Sequence, residues 1–381
     1  MTALEIMEMV GVGEATRRSP QGDGFTVPAD AVVVSADSHW LEEPDLWVER
    51  FPAHLKHRAP RMFNNGAGWE MEVDGKTFIG SAQAAGFATF EAVAGMNQVA
   101  ARVVDLDAEG VDHEILFPQR TLALIRVPDL EYREWCFRAY NQYLGDICRR
   151  EPRLHGVGIL KWWDPEATAD ALAELQDLGF KTVMAPIEPG KFDDGEPINY
   201  QDPRMDPFWA AVEASGLPLC FHIGENTKTG GQGIVGMFVL EQMQGFRNLW
   251  GRLTFGGVFD RFPNLRVVFV EGQLNWVPGA LQDADMIYNG FPSMIAPKLE
   301  HSPSHYWRRN CYATFMVDPA GLEMIHRIGA DRALWSSDYP HNESTLGYTR
   351  SAVAAVFSSA TAQDARRMVG GNAVELFRLD I

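Results

Sequence analysis

Eight short apolar runs recur along this chain, and segments with helical spacing connect them. Runs of this kind are typical of parallel strands that helices cover on both faces. The predicted strands are Val32–His39, Val111–Phe117, Gly156–Leu160, Phe180–Pro186, Leu217–His222, Leu265–Glu271, Cys311–Met316 and Ala333–Asp338. Eight strands with helical crossovers favour closure of the sheet, so the sequence predicts an α/β fold, a (β/α)8 TIM barrel.

One long insertion, at about residues 45–100, interrupts this alternation after the first strand. Within it, Trp69–Ile79 alternates apolar and polar residues around Asp74-Gly75, which is a strong hairpin signal. We expect the insertion to lie over the mouth of the barrel. Residues 1–28 are predicted to form an N-terminal arm, either on a partner subunit or disordered. Residues 29–381 show no break in composition and are predicted to form one barrel domain.

The overall charge and the cysteines limit the class of function. A formal net charge of −18 argues against nucleic acids or anionic membranes as main partners. The four cysteines show no paired spacing, which fits buried free thiols in a reducing cytoplasm. No apolar run reaches the roughly 18 residues of a membrane span. The first 30 residues do not resemble a signal peptide, so we expect a cytoplasmic protein that acts on a small molecule.

Polar side chains stand at or just beyond the carboxyl ends of the predicted strands, where barrel enzymes place their chemistry. Asp37 and His39 are two residues apart in a strand and therefore point to the same face. Both residue types are suitable ligands for a divalent metal. The other candidates at these ends are Arg120, Lys161, His222, Glu271 and Asp338. A single Asp or His at a strand end is more often a loop hydrogen bonder, but the joint occurrence of such residues at the first, fifth and eighth strands favours a metal site.

Several motifs resemble the amidohydrolase superfamily, in the amidohydrolase-related branch that includes aminocarboxymuconate semialdehyde decarboxylase. The resemblance begins with Ser-Ala-Asp-Ser-His and Glu-Pro-Asp-Leu-Trp and continues along nearly the whole chain. The motifs lie at Ser35–Trp47, Asp105–Asp112, Asp177–Lys181, Phe262–Phe269 and Ser336–His341. Together they are specific to the branch, although not to one reaction.

The resemblance implies one divalent metal ion, for which we expect zinc first and manganese next. Its ligands would be Asp37, His39, His222 and Asp338, and Asp338 would also accept or relay a proton. The fourth predicted strand ends in Met184-Ala185-Pro186 and offers no lysine. The carboxylated lysine that bridges two metals in binuclear members is therefore missing, which favours a single ion.

At the end of the sixth strand this chain departs from the familiar decarboxylases of the branch. Those enzymes carry a catalytic histidine where this sequence has Glu271-Gly272. A glutamate can shuttle a proton if burial raises its pKa, so Glu271 is predicted to act as acid or base. The alternative is that Glu271 is one more polar group that supports the metal site.

Each of three candidate residues has a second interpretation. Arg120 and Lys161 would bind a substrate carboxylate, although a surface ion pair is an equal alternative for each. His341 lies three residues beyond Asp338 and is predicted to take part in catalysis, with a loop hydrogen bond as its alternative.

The resemblance favours non-oxidative decarboxylation of a small carboxylated aromatic or unsaturated metabolite. Hydrolysis of an ester, lactone, amide or activated C–C bond by water activated at the metal is the second hypothesis. The third is a barrel that binds metal only for stability. The family resemblance and the N-terminal arm also predict a homodimer.

Overall fold

In the computed structural model, eight parallel strands form a barrel, and this confirms the predicted fold. The structure describes residues 25–64, 66, 69–79, 91–224, 236–237, 240–241 and 245–381. The barrel strands are β1 (Val34–Trp40), β5 (His113–Pro118), β6 (Leu154–Ile159), β7 (Thr182–Met184), β8 (Leu219–His222), β9 (Val267–Val270), β10 (Cys311–Phe315) and β11 (Ala333–Trp335). They stand around the barrel in the order in which they occur along the chain.

The first and last strands meet and close the barrel. Ser38 forms a parallel bridge with Tyr339, just beyond β11. The amide of Asp338 donates to the carbonyl of Asp37 over 2.9 Å, and the amide of His39 donates to the carbonyl of Tyr339 over 2.8 Å. Closure therefore brings two polar segments from opposite ends of the chain side by side.

Helices pack around the barrel. In chain order they are α1 (Leu46–Arg50), α2 (Val99–Glu109), α3 (Thr121–Leu124), α4 (Leu130–Cys148), α5 (Thr168–Asp177), α6 (Asp206–Ser215), α7 (Gly245–Phe255), α8 (Val258–Arg261), α9 (Trp276–Gly290), α10 (Pro303–Asn310), α11 (Pro319–Glu323), α12 (Ile325–Ile328), α13 (Thr349–Ser359), α14 (Ala362–Arg366) and α15 (Asn372–Phe377). None of these helices is both long and apolar enough to cross a membrane, among the residues described.

The helix ends follow from local sequence. The carboxylate of Asp129 accepts the amide of Tyr132 and caps the first turn of α4. Gly110 and Gly216 end α2 and α6 with φ angles of 76° and 66°, a conformation that favours glycine. Such caps end the helices at defined residues.

The insertion after β1 carries a small antiparallel sheet of β2 (Arg61–Asn64), β3 (Trp69–Val73) and β4 (Lys76–Ile79). The predicted hairpin is confirmed, since β3 and β4 turn at Asp74 and Gly75. The carbonyl of Trp69 accepts a 3.0 Å hydrogen bond from Arg120, two residues beyond β5. The small sheet thus contacts the carboxyl end of the barrel.

Most of the predicted N-terminal arm lies outside the described residues, which begin at Phe25. The ring of Phe25 packs 5.6 Å from that of Phe357 on α13. Asp30 pairs with Arg366 on α14 over 3.1 Å. The chain therefore runs along two C-terminal helices before it enters β1.

Candidate metal centre

Five acidic and imidazole side chains converge at the carboxyl end of the barrel. Asp37 and His39 belong to β1, His222 is the last residue of β8, Glu271 follows β9 and Asp338 lies beyond β11. Their exposed fractions are 0%, 1%, 1%, 8% and 0%. The barrel thus joins five predicted site residues into one buried cluster.

The distances within the cluster suit ligands of a single ion. Nε2 of His39 lies 3.8 Å from Oδ1 of Asp37 and 3.3 Å from Oδ1 of Asp338. Nε2 of His222 lies 3.5 Å from Oδ1 of Asp37 and 3.1 Å from Oε2 of Glu271. Zinc bonds to nitrogen and oxygen are about 2.0–2.2 Å long, so ligand atoms on one ion stand roughly 3–4 Å apart.

Both histidines present the same ring nitrogen to the cluster. Nδ1 of His39 lies 3.2 Å from the carbonyl of Pro118, and Nδ1 of His222 lies 2.7 Å from the carbonyl of Ile223. A carbonyl can only accept, so Nδ1 of each ring donates and a neutral ring keeps a lone pair on Nε2. This outer hydrogen bond is the usual arrangement for a metal-binding histidine.

The inward-facing atoms of the cluster lack ordinary partners. Within the described part of the chain, neither carboxylate oxygen of Asp37 has a hydrogen-bond partner, and neither does Nε2 of His39 or His222. Buried polar atoms are normally satisfied, because leaving one unpaired costs about 1–3 kcal/mol. Acceptors that face one another across a buried space are satisfied together by a cation, so this donor set fits a divalent metal.

The donor atoms form two overlapping groups. Asp37, His39, His222 and Glu271 make the first group, and each offers one atom within 4.8 Å of the others. The second group contains His39 and Glu271 again, together with Asp338 and His341. The predicted ligand roles stay predictions, but geometry places Glu271 among the donors and Asp338 closer to His341.

The backbone turns sharply where Glu271 and Asp338 enter the site. Their φ angles are 70° and 54°, in the left-handed region that residues other than glycine rarely adopt. The amide of Glu271 donates to Oγ1 of Thr314 over 2.7 Å, and this bond fixes the turn. Such conformations cost of order 1–3 kcal/mol and are concentrated at functional sites.

His341 stands against the cluster, and its catalytic role stays a prediction. Its ring stacks on that of His39 with 4.0 Å between centroids. Nδ1 lies 3.0 Å from Oδ1 of Asp338, and Nε2 lies 3.0 Å from Oε1 of Gln119. His341 is therefore held between a carboxylate of the cluster and an amide on the far side.

Burial and neighbouring charges shift the pKa values of this cluster. Burial lowers the pKa of His39 to about 4, and the charge of His341 acts in the same direction. Burial raises the pKa of Glu271 well above its ordinary value, and Asp338 and Asp37 add to this effect. Both shifts disfavour charge in the centre of the cluster.

Asp338 and His341 shift the other way because they face each other. Burial would lower the pKa of His341, but the Asp338 carboxylate outweighs it and raises that pKa to about 9. Burial likewise opposes ionisation of Asp338, yet His341 and His39 hold the pKa of Asp338 below its ordinary value. The two residues form an ion pair in which His341 carries the proton.

Arg120 and Lys161 are both engaged by acidic side chains. The buried guanidinium of Arg120 lies 2.5 Å from Oε2 of Glu91 and also bonds Trp69. The ammonium of Lys161 lies 3.4 Å from Glu134 on α4 and 3.2 Å from Asp164. Their roles in substrate binding stay predictions, and the ion-pair alternative describes the contacts of Lys161 in this structure.

The residues that support the cluster from behind were not predicted from the sequence. The carboxylate of Glu42 accepts the amides of Arg120 and Thr121 over 2.8 Å each and so fixes the loop after β5. Gln119 contacts His341 from that same loop. Glu42 lies within the Ser35–Trp47 motif, which was the available signal, whereas nothing in the sequence marks Gln119.

The chain is similar over most of its length to known proteins. A family model described as Amidohydrolase matches residues 92–379. The gamma-resorcylate decarboxylase of Rhodococcus jostii is 26% identical over 277 residues, which are 68% of this chain and 81% of that protein. The 2-amino-3-carboxymuconate-6-semialdehyde decarboxylase of Dictyostelium discoideum is 24% identical over 248 residues, which are 63% of this chain and 66% of that protein.

Solved structures share the fold. An amidohydrolase from Mycobacterium avium subsp. paratuberculosis has a TM-score of 0.75 at 20% identity, with 92% of this chain and 98% of that chain covered. A 5-carboxyvanillate decarboxylase from Novosphingobium aromaticivorans, in complex with manganese, has a TM-score of 0.67 at 19% identity, with 96% and 99% covered. At these identities the likeness shows a common architecture.

Proposed function

This chain belongs to the amidohydrolase family, and on that premise we propose that it is a metal-dependent decarboxylase of a small carboxylated aromatic acid. The decarboxylase names of its curated relatives support the reaction class. The observation that carries the proposal is the buried cluster, in which unpartnered Nε2 atoms and carboxylate oxygens adjoin the Asp338–His341 ion pair.

The proposed metal ligands are Asp37, His39, His222 and Asp338, around one divalent ion. Zinc is compatible with this mixed nitrogen and oxygen set, and so is manganese, which the related carboxyvanillate decarboxylase contains. A bound divalent ion supplies a Lewis acid that polarises the oxygens of an acidic substrate. It also supplies the positive charge that an anionic substrate needs in a chain of net charge −18.

The protein's own part in the reaction is the delivery of a proton. Decarboxylation forms a C–H bond at the carbon that bears the carboxylate, breaks the C–C bond and releases CO2. Nδ1 of His341 and Oδ1 of Asp338 are 3.0 Å apart, so they hold one proton between them at the edge of the cluster. His341 would carry this proton and Asp338 would orient it toward the substrate carbon.

Apolar packing against the cluster limits its contact with water and so strengthens the electrostatic interactions among its charged groups. The ring of Phe117 lies 4.8 Å from that of His222 and 6.5 Å from that of His39. Phe117 is itself fully buried in β5. Electrostatic interactions are stronger in such a dry environment than in water.

A screen for CO2 release from aromatic acids, coupled to metal analysis, tests the proposal. We expect close to one equivalent of metal per chain, and His222→Ala should lose most of it. His341→Gln should keep the metal and lose about 10²–10⁴-fold in kcat, the usual contribution of an acid or base. These two variants separate metal binding from proton transfer.

Other outcomes of the same screen contradict the proposal. Turnover of esters, lactones or amides without CO2 release would assign the hydrolase alternative. Metal content with no turnover of any acid would assign the non-catalytic barrel. Two tightly bound equivalents, or full retention of metal in His222→Ala, would overturn the ligand assignment.

We also propose a cytoplasmic location. All four cysteines, Cys136, Cys148, Cys220 and Cys311, carry free thiols. Burial raises the pKa of each of these thiols, so each stays protonated and unreactive. Cysteines in this state support a reducing compartment.

A further inference from the structure

Glu271 occupies the centre of the cluster rather than its edge. Its Oε2 lies 3.1 Å from Nε2 of His222 and 3.8 Å from Nε2 of His39. Its other oxygen, Oε1, lies 4.0 Å from Nδ1 of His341. Glu271 also belongs to both overlapping donor groups, which it shares with His39 alone.

The contacts of Glu271 with the two histidines need a positive charge between them. Nδ1 of each ring already donates to a backbone carbonyl, so Nε2 of the neutral ring offers a lone pair. A carboxylate oxygen is also an acceptor. Lone pairs that meet at 3.1–3.8 Å in a buried space repel each other. A protonated Glu271 can donate to only one of the two Nε2 atoms, whereas a divalent ion removes the repulsion for all of them at once.

The local backbone is built to hold Glu271 in this place. Its amide is fixed by Thr314 of β10, and its φ of 70° directs the side chain across the barrel mouth. At Gly272 a Cβ would lie 2.3 Å from the ring of Phe246, so only glycine fits against that ring. Gln273 has a second positive φ, of 61°, in the same turn. A carboxylate held this rigidly is better suited to act as a metal ligand than as a mobile proton shuttle.

We propose that Glu271 is a fifth direct ligand of the metal, beside Asp37, His39, His222 and Asp338. This inference rests on the proposed metal centre and divides its carboxylates into two roles. Glu271 binds the ion from between the histidines, whereas Asp338, the ligand that faces His341, also handles the proton. The glutamate that replaces the histidine of familiar decarboxylases thus changes the ligand set and leaves proton transfer to the other side of the site.

Metal affinity, measured by chelator competition on the full chain, tests this role without reference to activity. Glu271→Gln keeps the size of the side chain but removes its charge. We expect it to lose more than about 100-fold in affinity, beyond the 10–100-fold typical of an outer partner of the ligands. Glu271→His restores a nitrogen ligand and should recover affinity to within about tenfold of the wild type.

Two further measurements make the result specific. The visible spectrum of the Co²⁺ form depends on ligand number and type, and it should change in both Glu271 variants. Glu109→Gln is the matched control, since it removes a buried carboxylate that accepts the amides of Gly347 and Thr349. This control should leave the affinity and the spectrum unchanged.

The outcomes distinguish this inference from the proposed function. A wild-type chain that binds no divalent metal would overturn the proposed metal centre itself. A wild-type chain that binds metal, with Glu271→Gln losing no more than about 100-fold in affinity or showing an unchanged Co²⁺ spectrum, would overturn the ligand role of Glu271 alone.

Discussion

Two histidines far from the metal cluster face each other where β5 and β6 begin. Nδ1 of His113 lies 3.1 Å from Nε2 of His155, and their rings stack with centroids 5.3 Å apart. Burial lowers the pKa of His155 to about 4, and the charge of His113 acts in the same direction. The pair therefore prefers to stay neutral in the folded protein.

This depressed pKa makes the fold sensitive to acid in a defined window. The unfolded histidine titrates near 6.5 and takes up its proton first, so stability is lost as the pH falls from about 6.5 to about 4. His155→Gln removes the linkage, and the fall in Tm across this window should shrink by roughly 2–4 °C. Thermal melts at several pH values measure the difference.

His54→Gln is the control for this effect, because His54 is exposed and only pairs with Glu131 at the surface. Its melting curve should follow the wild type at every pH. Equal pH slopes for His155→Gln and the wild type would show that the His113–His155 pair does not couple folding to protonation.

At the level of single residues, the sequence predicted the site residues at strand ends. It did not predict the contacts that these residues make with distant parts of the chain. Asp37, His39, His222, Glu271 and Asp338 follow apolar runs, so strand periodicity alone brings them to one rim. The partners of a side chain have no such local signal. The sequence around Arg120 does not show that Glu91 lies against its guanidinium.

Among the elements, α2 reaches beneath the site. Arg102 of α2 is fully buried and donates to the carbonyl of His39. Its Nε lies 3.6 Å from Oε2 of Glu114 on β5, and its guanidinium lies 3.9 Å from the centre of the Tyr339 ring. One side chain thus joins β1, β5 and the segment after β11.

Removal of Arg102 should be costly for stability. Arg102→Gln leaves the carboxylate of Glu114 buried with only the hydroxyl of Ser38 as a hydrogen-bond donor at 2.9 Å. Breaking one side of a buried ion pair costs about 3–5 kcal/mol, so we expect a loss of that size in the free energy of unfolding. Urea denaturation at neutral pH measures it.

The same helix offers a matched control. Val104 is 65% exposed, and Val104→Ala should change the free energy of unfolding by no more than about 0.5 kcal/mol. A comparable small change in Arg102→Gln would mean that the Arg102–Glu114 pair adds nothing to the barrel.

Regular elements were predicted where periodicity is strong and missed where it is weak. The predicted eighth strand, Ala333–Asp338, stops at Trp335, because Ser337 turns its backbone and side chain toward Ser35. Helix α13 was not predicted, since its Ala, Val and Ser residues show no clear polar face and most of them are buried. Tertiary packing determines both the end of this strand and the position of this helix, and a local sequence pattern does not reveal such packing.

For the whole molecule we propose a homodimer, with the N-terminal arm or the insertion at residues 45–100 at the interface. Light scattering at micromolar concentration on the intact chain should give twice the chain mass of 42.5 kDa. A truncation should remove residues 1–24 only, since Phe25 and Val27 pack against the core and their loss would disturb the barrel itself.

The truncated chain distinguishes the two interfaces. A monomer after truncation assigns the interface to the arm, and a retained dimer assigns it to the insertion. A monomer both before and after truncation would contradict the homodimer.

Closure of the barrel by β1 and the segment after β11 has a consequence for how the protein is made. The hydroxyls of Ser35 and Ser337 bond over 2.9 Å although they lie 302 positions apart in the chain. Contacts of such long range form late, and a chain is synthesised from its N-terminus. Asp37 and His39 therefore leave the ribosome long before Asp338 exists. With Asp338 as a proposed ligand, the nascent protein would lack part of the metal site, and we expect the ion to bind the finished chain.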